Sequence, residues 1–242
     1  MRKQKYVTPS GLEFTLREQT GADDEILNAA QDETVMINSY LANVIEEGPG
    51  NKRFSAEDVK KLRLGDKYFL VVSSRILSLG NILYFQYQWD PNEASIEYEE
   101  DLSRYVWDYS EPFPEVGDPL YFDQRFQPYP AEEFIEGQVG DYKLRMDYLD
   151  GAGEAYMLKL PANSRTVNQE LRARNLRFFD TEWKIVKTFT SFTARDMVYI
   201  RNLAHEGDPA IEGLTTVTHP GTGESLALPL LGIKDFFYPV KI

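Results

Sequence analysis

The sequence predicts an α+β protein of two similar helix-plus-β-hairpin units joined by an aromatic, proline-rich connector. Three observations predict it. First, Asp66-Lys67-Tyr68-Phe69-Leu70, a strand-like run and the turn Asp90-Pro91-Asn92-Glu93-Ala94 are matched later in the chain. The later copy is Asp196-Met197-Val198-Tyr199-Ile200, another strand-like run and the turn His219-Pro220-Gly221-Thr222-Gly223, with nearly the same aspartate-to-proline spacing. Second, hydrophobic spacing switches between helical and alternating periods along each copy. Third, the stretch between the copies is dense in proline and aromatic rings and follows neither period. The implied divisions are 1–104, 105–141 and 142–242. Both turns resemble a zinc-ribbon knuckle stripped of its cysteines, so degenerate knuckles without metal are expected.

Residues 5–17 read as a hairpin: Tyr6-Val7, the turn Thr8-Pro9-Ser10-Gly11, then Leu12, Phe14 and Leu16 alternating with polar neighbours. Thr20 with Asp23 makes a capping box and opens a helix. Ile26, Ala30, Ile37, Leu41 and Val44 share its face until Gly48-Pro49-Gly50 stops it. Ser55 with Asp58 opens another helix. Gly65 is expected to break it and Asp66 to recap the next, whose stripe of Phe69, Leu70, Val72, Ile76 and Leu77 runs to Gly80. Residues 81–89, rich in aromatic and β-branched side chains, predict a strand, with Ile96 and Tyr98 on its more polar partner.

From 105 to 141, Pro112, Pro114, Pro119, Pro128 and Pro130 block regular structure. The interleaved Trp107, Phe113, Tyr121, Phe122, Phe126 and Tyr129 predict a segment packed on its own core or on a partner, since free tethers are poor in rings. In the second copy Leu144, Met146 and Tyr148 alternate, Asp150-Gly151-Ala152-Gly153 reads as a turn, and 156–160 as a returning strand. Leu171-Arg172 aligns with Leu16-Arg17. A helical stretch is expected from about Thr181, and Thr193 caps the next helix. Residues 214–218 and 225–228 form the closing hairpin, ahead of the apolar run Phe236-Phe237-Tyr238-Pro239-Val240. The two hairpins are expected to be held by packing around Trp89 and Leu226.

The chain has 242 residues, 42% hydrophobic and 27% charged, enough to bury a core. Its formal net charge of −13 lacks the basic footprint that phosphate contacts need, so no nucleic-acid partner is expected. An anionic membrane surface is disfavoured for the same reason. No run approaches the roughly 18 apolar residues of a membrane span. Met1-Arg2-Lys3-Gln4-Lys5-Tyr6 has no apolar stretch behind it, and a cytoplasmic product is expected. The absence of cysteine excludes disulfides, thiolate metal sites and cysteine nucleophiles.

A ribbon knuckle holds zinc through paired thiolates on a tight turn. Here the positions hold Asp90 and Glu93 in one turn, His219 and Thr222 in the other. That set is hard and incomplete, so ordinary β-turns are expected. A calcium-loop pattern starting at Asp90 fails at Ala94 and Ser95. His205 and His219 are the only histidines, and no nucleophile elbow or phosphate loop is present. Gly151-Ala152-Gly153 is read as opening no helix. Neither a catalytic set nor a cofactor is expected.

Three groups of motifs follow one another along the chain. The first is Thr8-Pro9-Ser10-Gly11-Leu12-Glu13-Phe14-Thr15-Leu16-Arg17 with Ile26-Leu27 behind it. The second is Leu64-Gly65-Asp66 with Ser74-Arg75-Ile76-Leu77-Ser78-Leu79-Gly80-Asn81. The third is Ala194-Arg195-Asp196 with Tyr199-Ile200, the His219 turn and Phe236-Phe237-Tyr238-Pro239. This order resembles the baseplate hub and hub-assembly family of T4-type tailed phages. Members often carry cysteine pairs at the knuckles; this chain departs there completely. The resemblance implies a non-enzymatic bacteriophage tail or baseplate protein, a structural component or assembly factor for the hub. Its partners would be other tail and baseplate proteins in a multi-subunit assembly. Its place would be the virion tail or, during assembly, the host cytoplasm. Tyr121, Phe122, Phe126, Tyr129, Phe236, Phe237 and Tyr238 are the candidate interface rings, because aromatics anchor interfaces as they do cores. Two alternatives stand beside it: a cell-wall or glycan hydrolase using paired carboxylates, and a free tail-assembly chaperone absent from the virion.

Overall fold

Strands β1 (Lys3–Val7) and β2 (Glu13–Arg17) open the chain as the expected antiparallel hairpin, with Tyr6 opposite Phe14. They belong to a computed structural model that describes residues 1–29, 32–209, 213–232 and 236–237, a mixture of helix and sheet. Helix α1 (Gly21–Asn28) starts at the predicted capping box: Asp23 accepts from Thr20 N at 2.7 Å and Thr20 Oγ1 at 2.8 Å. The same carboxylate accepts from Arg17 at 2.7 and 2.9 Å and from Asn43 Nδ2 at 2.7 Å. A fully buried charge is thereby given a partner at every lone pair.

The long first helix expected from Thr20 is two helices. Asp32 accepts from Thr34 N at 3.0 Å and caps α2 (Glu33–Val44), which runs straight into strand β3 (Ile45–Glu47) beside β2. Ala30, expected on the shared face, lies outside the described residues. The Ser55–Asp58 box opens only the single turn α3 (Ala56–Val59). Gly65 and Asp66 both lie inside the first turn of α4 (Leu64–Leu79), so Gly65 breaks nothing and Asp66 recaps nothing. The Asp66 carboxylate instead accepts from Ser10 N at 2.9 Å and Ser10 Oγ at 2.5 Å, fastening the first turn to the helix. Burial pushes its carboxyl above the ordinary value in spite of the Ser10 bonds.

Helix α4 is buried around most of its circumference and ends where Gly80 adopts φ of 86°. The hairpin of β4 (Ile82–Tyr87) and β5 (Ile96–Asp101) follows, with Phe85 opposite Tyr98. Regular structure then stops until β6 (Ile135–Val139) and β7 (Tyr142–Met146), so the end of the expected connector is strand.

The middle of the second copy departs most from expectation. The Gly151 turn is the first turn of helix α5 (Gly151–Lys159), and residues 156–159 are helix rather than strand. Asp150 caps it, accepting from Ala152 N at 3.0 Å and Gly153 N at 2.8 Å. Glycine fits at 151 because a Cβ would stand 3.0 Å from the Lys60 carbonyl oxygen. Leu171 sits in helix α6 (Val167–Ala173), so its alignment with strand residue Leu16 fails. The helix expected from Thr181 is the strand pair β8 (Arg177–Phe179) and β9 (Trp183–Ile185), completing an antiparallel sheet in the order β6-β7-β8-β9. Thr193 caps α7 (Ala194–Gly207) as expected, and β10 (Leu214–Thr218) pairs with β11 (Ser225–Pro229). Asp66 and Asp196 each hold the third position of the helix that precedes a proline-turn hairpin.

Two hydrophobic cores result. One gathers Phe14 to Phe126 and then Val217, Leu230, Phe236 and Phe237; the other contains Tyr129 to Ala204. In sequence, the second core lies within the span of the first. Gly65 N donates to Tyr129 Oη at 3.0 Å and Leu64 N to the Leu149 carbonyl at 2.9 Å across the seam. No described helix is long and apolar enough to cross a membrane.

Arg75, 1% exposed, donates to the carbonyls of Phe236 (3.0 Å), Ile82 (3.2 Å) and Gly80. Arg75→Met should orphan these carbonyls and cost on the order of 3 kcal/mol in urea unfolding. Asp23 gives a pH-dependent test. Burial pushes its carboxyl up, but the bonds from Arg17, Thr20 and Asn43 prevail and hold it below the ordinary value. A depressed carboxyl contributes stability above its unfolded pKa and loses it as pH falls through the folded value. The deficit of Asp23→Asn against wild type should therefore be full near neutral pH and shrink in acid, read by denaturant midpoints across that range.

Candidate functional site

The candidate interface rings are largely enclosed by the chain itself. Phe126, Phe236 and Phe237 fill the first core and Tyr129 the second. Phe122 packs at the margin of the first core, edge-on to Tyr105 and under Arg104 at 4.1 Å. Tyr121 is half-buried, and Tyr238 lies outside the described residues. The proline-rich segment thus packs on its own core: Phe126 meets Phe69 edge-on, and Tyr109 donates to the Phe126 carbonyl. Its exposed apolar groups are others, Val116 (83% exposed) and Leu120 (60%).

The two proline turns lie against each other. Tyr98 of β5 donates to the Thr218 carbonyl of β10 at 3.2 Å, and Tyr105 to the Leu214 carbonyl at 3.0 Å. Thr215 Oγ1 donates to Glu100. Trp89 packs edge-on to His219 at 5.4 Å and donates to Tyr98 Oη at 2.7 Å, whereas Leu226 is exposed. His219 Nδ1 accepts from Gly221 N at 3.1 Å and Thr222 N at 3.0 Å. With that lone pair engaged, the neutral ring carries its proton on Nε2, which stands 3.4 Å from Glu93 Oε2. The His219 imidazole therefore organises its own turn. One imidazole, one carboxylate and an indole do not make a tetrahedral donor set. Among the described residues no three His, Asp or Glu groups converge as metal ligands.

A cavity of about 700 Å³ lies at the seam between the cores, lined from α2, α4, α5, α6, α7 and the closing hairpin. Its volume is in the range of small-molecule sites. Five of its charged groups engage one another. Lys67, 1% exposed, is 2.5 Å from Glu154 Oε2, while Tyr68 donates to Glu154 Oε1 at 2.5 Å. Arg174 grips Glu170 at 2.9 Å and the buried Asp208, which also accepts from Leu149 N at 2.9 Å. His205 lies at the rim. This network escaped sequence reading. Glu170 and Arg174 have helical i,i+4 spacing, but Lys67 and Glu154 meet across 87 residues of chain.

No protein-family model matches the chain, and no curated protein or solved structure matches it significantly.

The Lys67–Glu154 pair bridges the seam, and removing one partner of a buried pair leaves the other uncompensated. Lys67→Met should cost about 3 kcal/mol, and Lys67→Met with Glu154→Leu should recover most of it, as read by a double-mutant cycle in urea.

Proposed function

We propose that this chain is a non-enzymatic tail or baseplate protein of a tailed phage, a structural component or assembly factor of the hub that works through protein contacts. It acts in the virion tail or in the host cytoplasm during assembly. The order of motifs supports the family reading. The observation that carries the mode of action is the ordered loop 111–121, which holds Val116 and Leu120 out in solvent with no described partner surface beneath them. Pre-shaped apolar groups of this kind lower the ordering cost of association. The carboxylates at the seam are held by Lys67 and Arg174, an arrangement suited to joining two cores.

We also infer that α4 with β4–β5 and α7 with β10–β11 are counterparts of one helix-and-knuckle unit. The shared aspartate position, the similar spacing to Pro91 and Pro220, and the contact between the two turns support it.

Quantitative mass spectrometry of purified particles and tail subassemblies is the test. Fixed stoichiometry in the baseplate is expected of a structural component. Presence in subassemblies but not in particles would identify the free chaperone. Absence from both sinks the proposal.

A further inference from the structure

The outer face of the four-stranded sheet is unlike the rest of this acidic chain. Leu144 and Met146 of β7 point into the second core, so Lys143 and Arg145 face outward. Register places Arg145 opposite Glu136 and Arg177, and Lys143 opposite Phe179, which in turn faces Trp183. Two arginines directly opposite each other are unfavourable in a strand pair. Glu136 binds Arg145 at 2.6 Å and Asp147 binds Arg177 at 3.0 Å, while the Arg145 guanidinium also lies between the Phe134 and Trp183 rings at 4.4 and 4.3 Å. Phe179 and Ile185 remain exposed at 39% and 57%. The two guanidiniums are thus engaged by carboxylates, and the exposed Lys143 stands beside uncovered apolar surface.

Loop 105–124 is its complement in charge. It holds Asp108, Glu111, Glu115, Asp118 and Asp123 and neither lysine nor arginine. Its shape is set from within. Arg125 donates to the Leu120 carbonyl at 2.6 Å and the Arg104 carbonyl at 3.0 Å, Asp118 accepts from Leu120 N at 2.7 Å, and Phe113 stacks on Tyr109 at 6.0 Å. Val116 and Leu120 form an apolar tip among carboxylates. One surface offers apolar side chains framed by negative charge, the other apolar and aromatic side chains beside the exposed Lys143.

We propose that the loop of one copy docks on the outer sheet face of another copy of this chain. Such a contact joins two different patches, so it is heterologous and builds a ring where the rotation closes. Val116 and Leu120 lie over Phe179, Trp183 and Ile185, while Glu111 and Glu115 meet Lys143. The proposal rests on the reading of the chain as an assembly protein and names one of its partners.

Sedimentation velocity of the purified full chain tests it. Wild type should self-associate with rising concentration, and high salt should weaken the association. Glu111→Lys/Glu115→Lys and Lys143→Glu/Arg145→Glu should each lower the association constant by about tenfold or more alone. An equimolar mixture of the two should restore it, because each reversed surface then meets its opposite. Since Arg145 is bonded to Glu136, Lys143→Glu alone and Val116→Asp, both at exposed side chains, serve as variants that keep the fold; each should weaken association. A chain monomeric at low salt overturns the proposal, as does association indifferent to these variants or a mixture that stays dissociated. A monomer found in baseplates would overturn this inference alone. A self-associating chain absent from particles and subassemblies would overturn the functional reading alone.

Discussion

Three ionisable groups buried on one helix set the constraint that organises the molecule. Asp66, Lys67 and Arg75 all lie on α4, and each is 1% exposed. A charge withdrawn from water needs a partner, and α4 has none to offer within itself. Each group recruits a different part of the chain: Asp66 the first hairpin turn, Lys67 helix α5 of the second core, Arg75 the start of β4 and the Phe236 segment. The apolar residues of α4 supply the burial, and its charges dictate what is buried against what.

Local features were legible in the sequence where short-range chemistry decides them. The capping boxes at Thr20, Ser55 and Thr193 stand where they were expected, as do the hairpins at Thr8, Asp90 and His219. The misreadings at Asp32 and Asp150 share a cause: an aspartate whose side chain accepts from the next turn begins a helix, at Asp150 even before a glycine of low helix propensity. At 177–185 the alternation of aromatic and β-branched residues was the usable signal, outweighed by an assumed repeat of the first unit. Which apolar side chains are covered does not follow from spacing, since Phe126 and Val116 belong to one segment and end in opposite environments. The cavity network was still less legible, being assembled from residues far apart in sequence.

The facing turns are held together by side-chain chemistry rather than by a metal-ligand set. Backbone amides that would otherwise point at nothing converge on His219 Nδ1, and Trp89 with Tyr98 fills the space between the hairpins. The turn is locked by directional hydrogen bonds to the ring nitrogen.

The return of the closing hairpin to the first core has a consequence for biosynthesis. As the ribosome feeds out the chain, the second core runs from Tyr129 to Ala204 and has all its described members once α7 has emerged. The first core is then still missing Val217, Leu230, Phe236 and Phe237, although most of it was translated earlier. Domains made N-terminal first usually fold in that order during translation. Here the order is inverted: the interior segment can close on the nascent chain, and the earlier-made core waits for segments made after it.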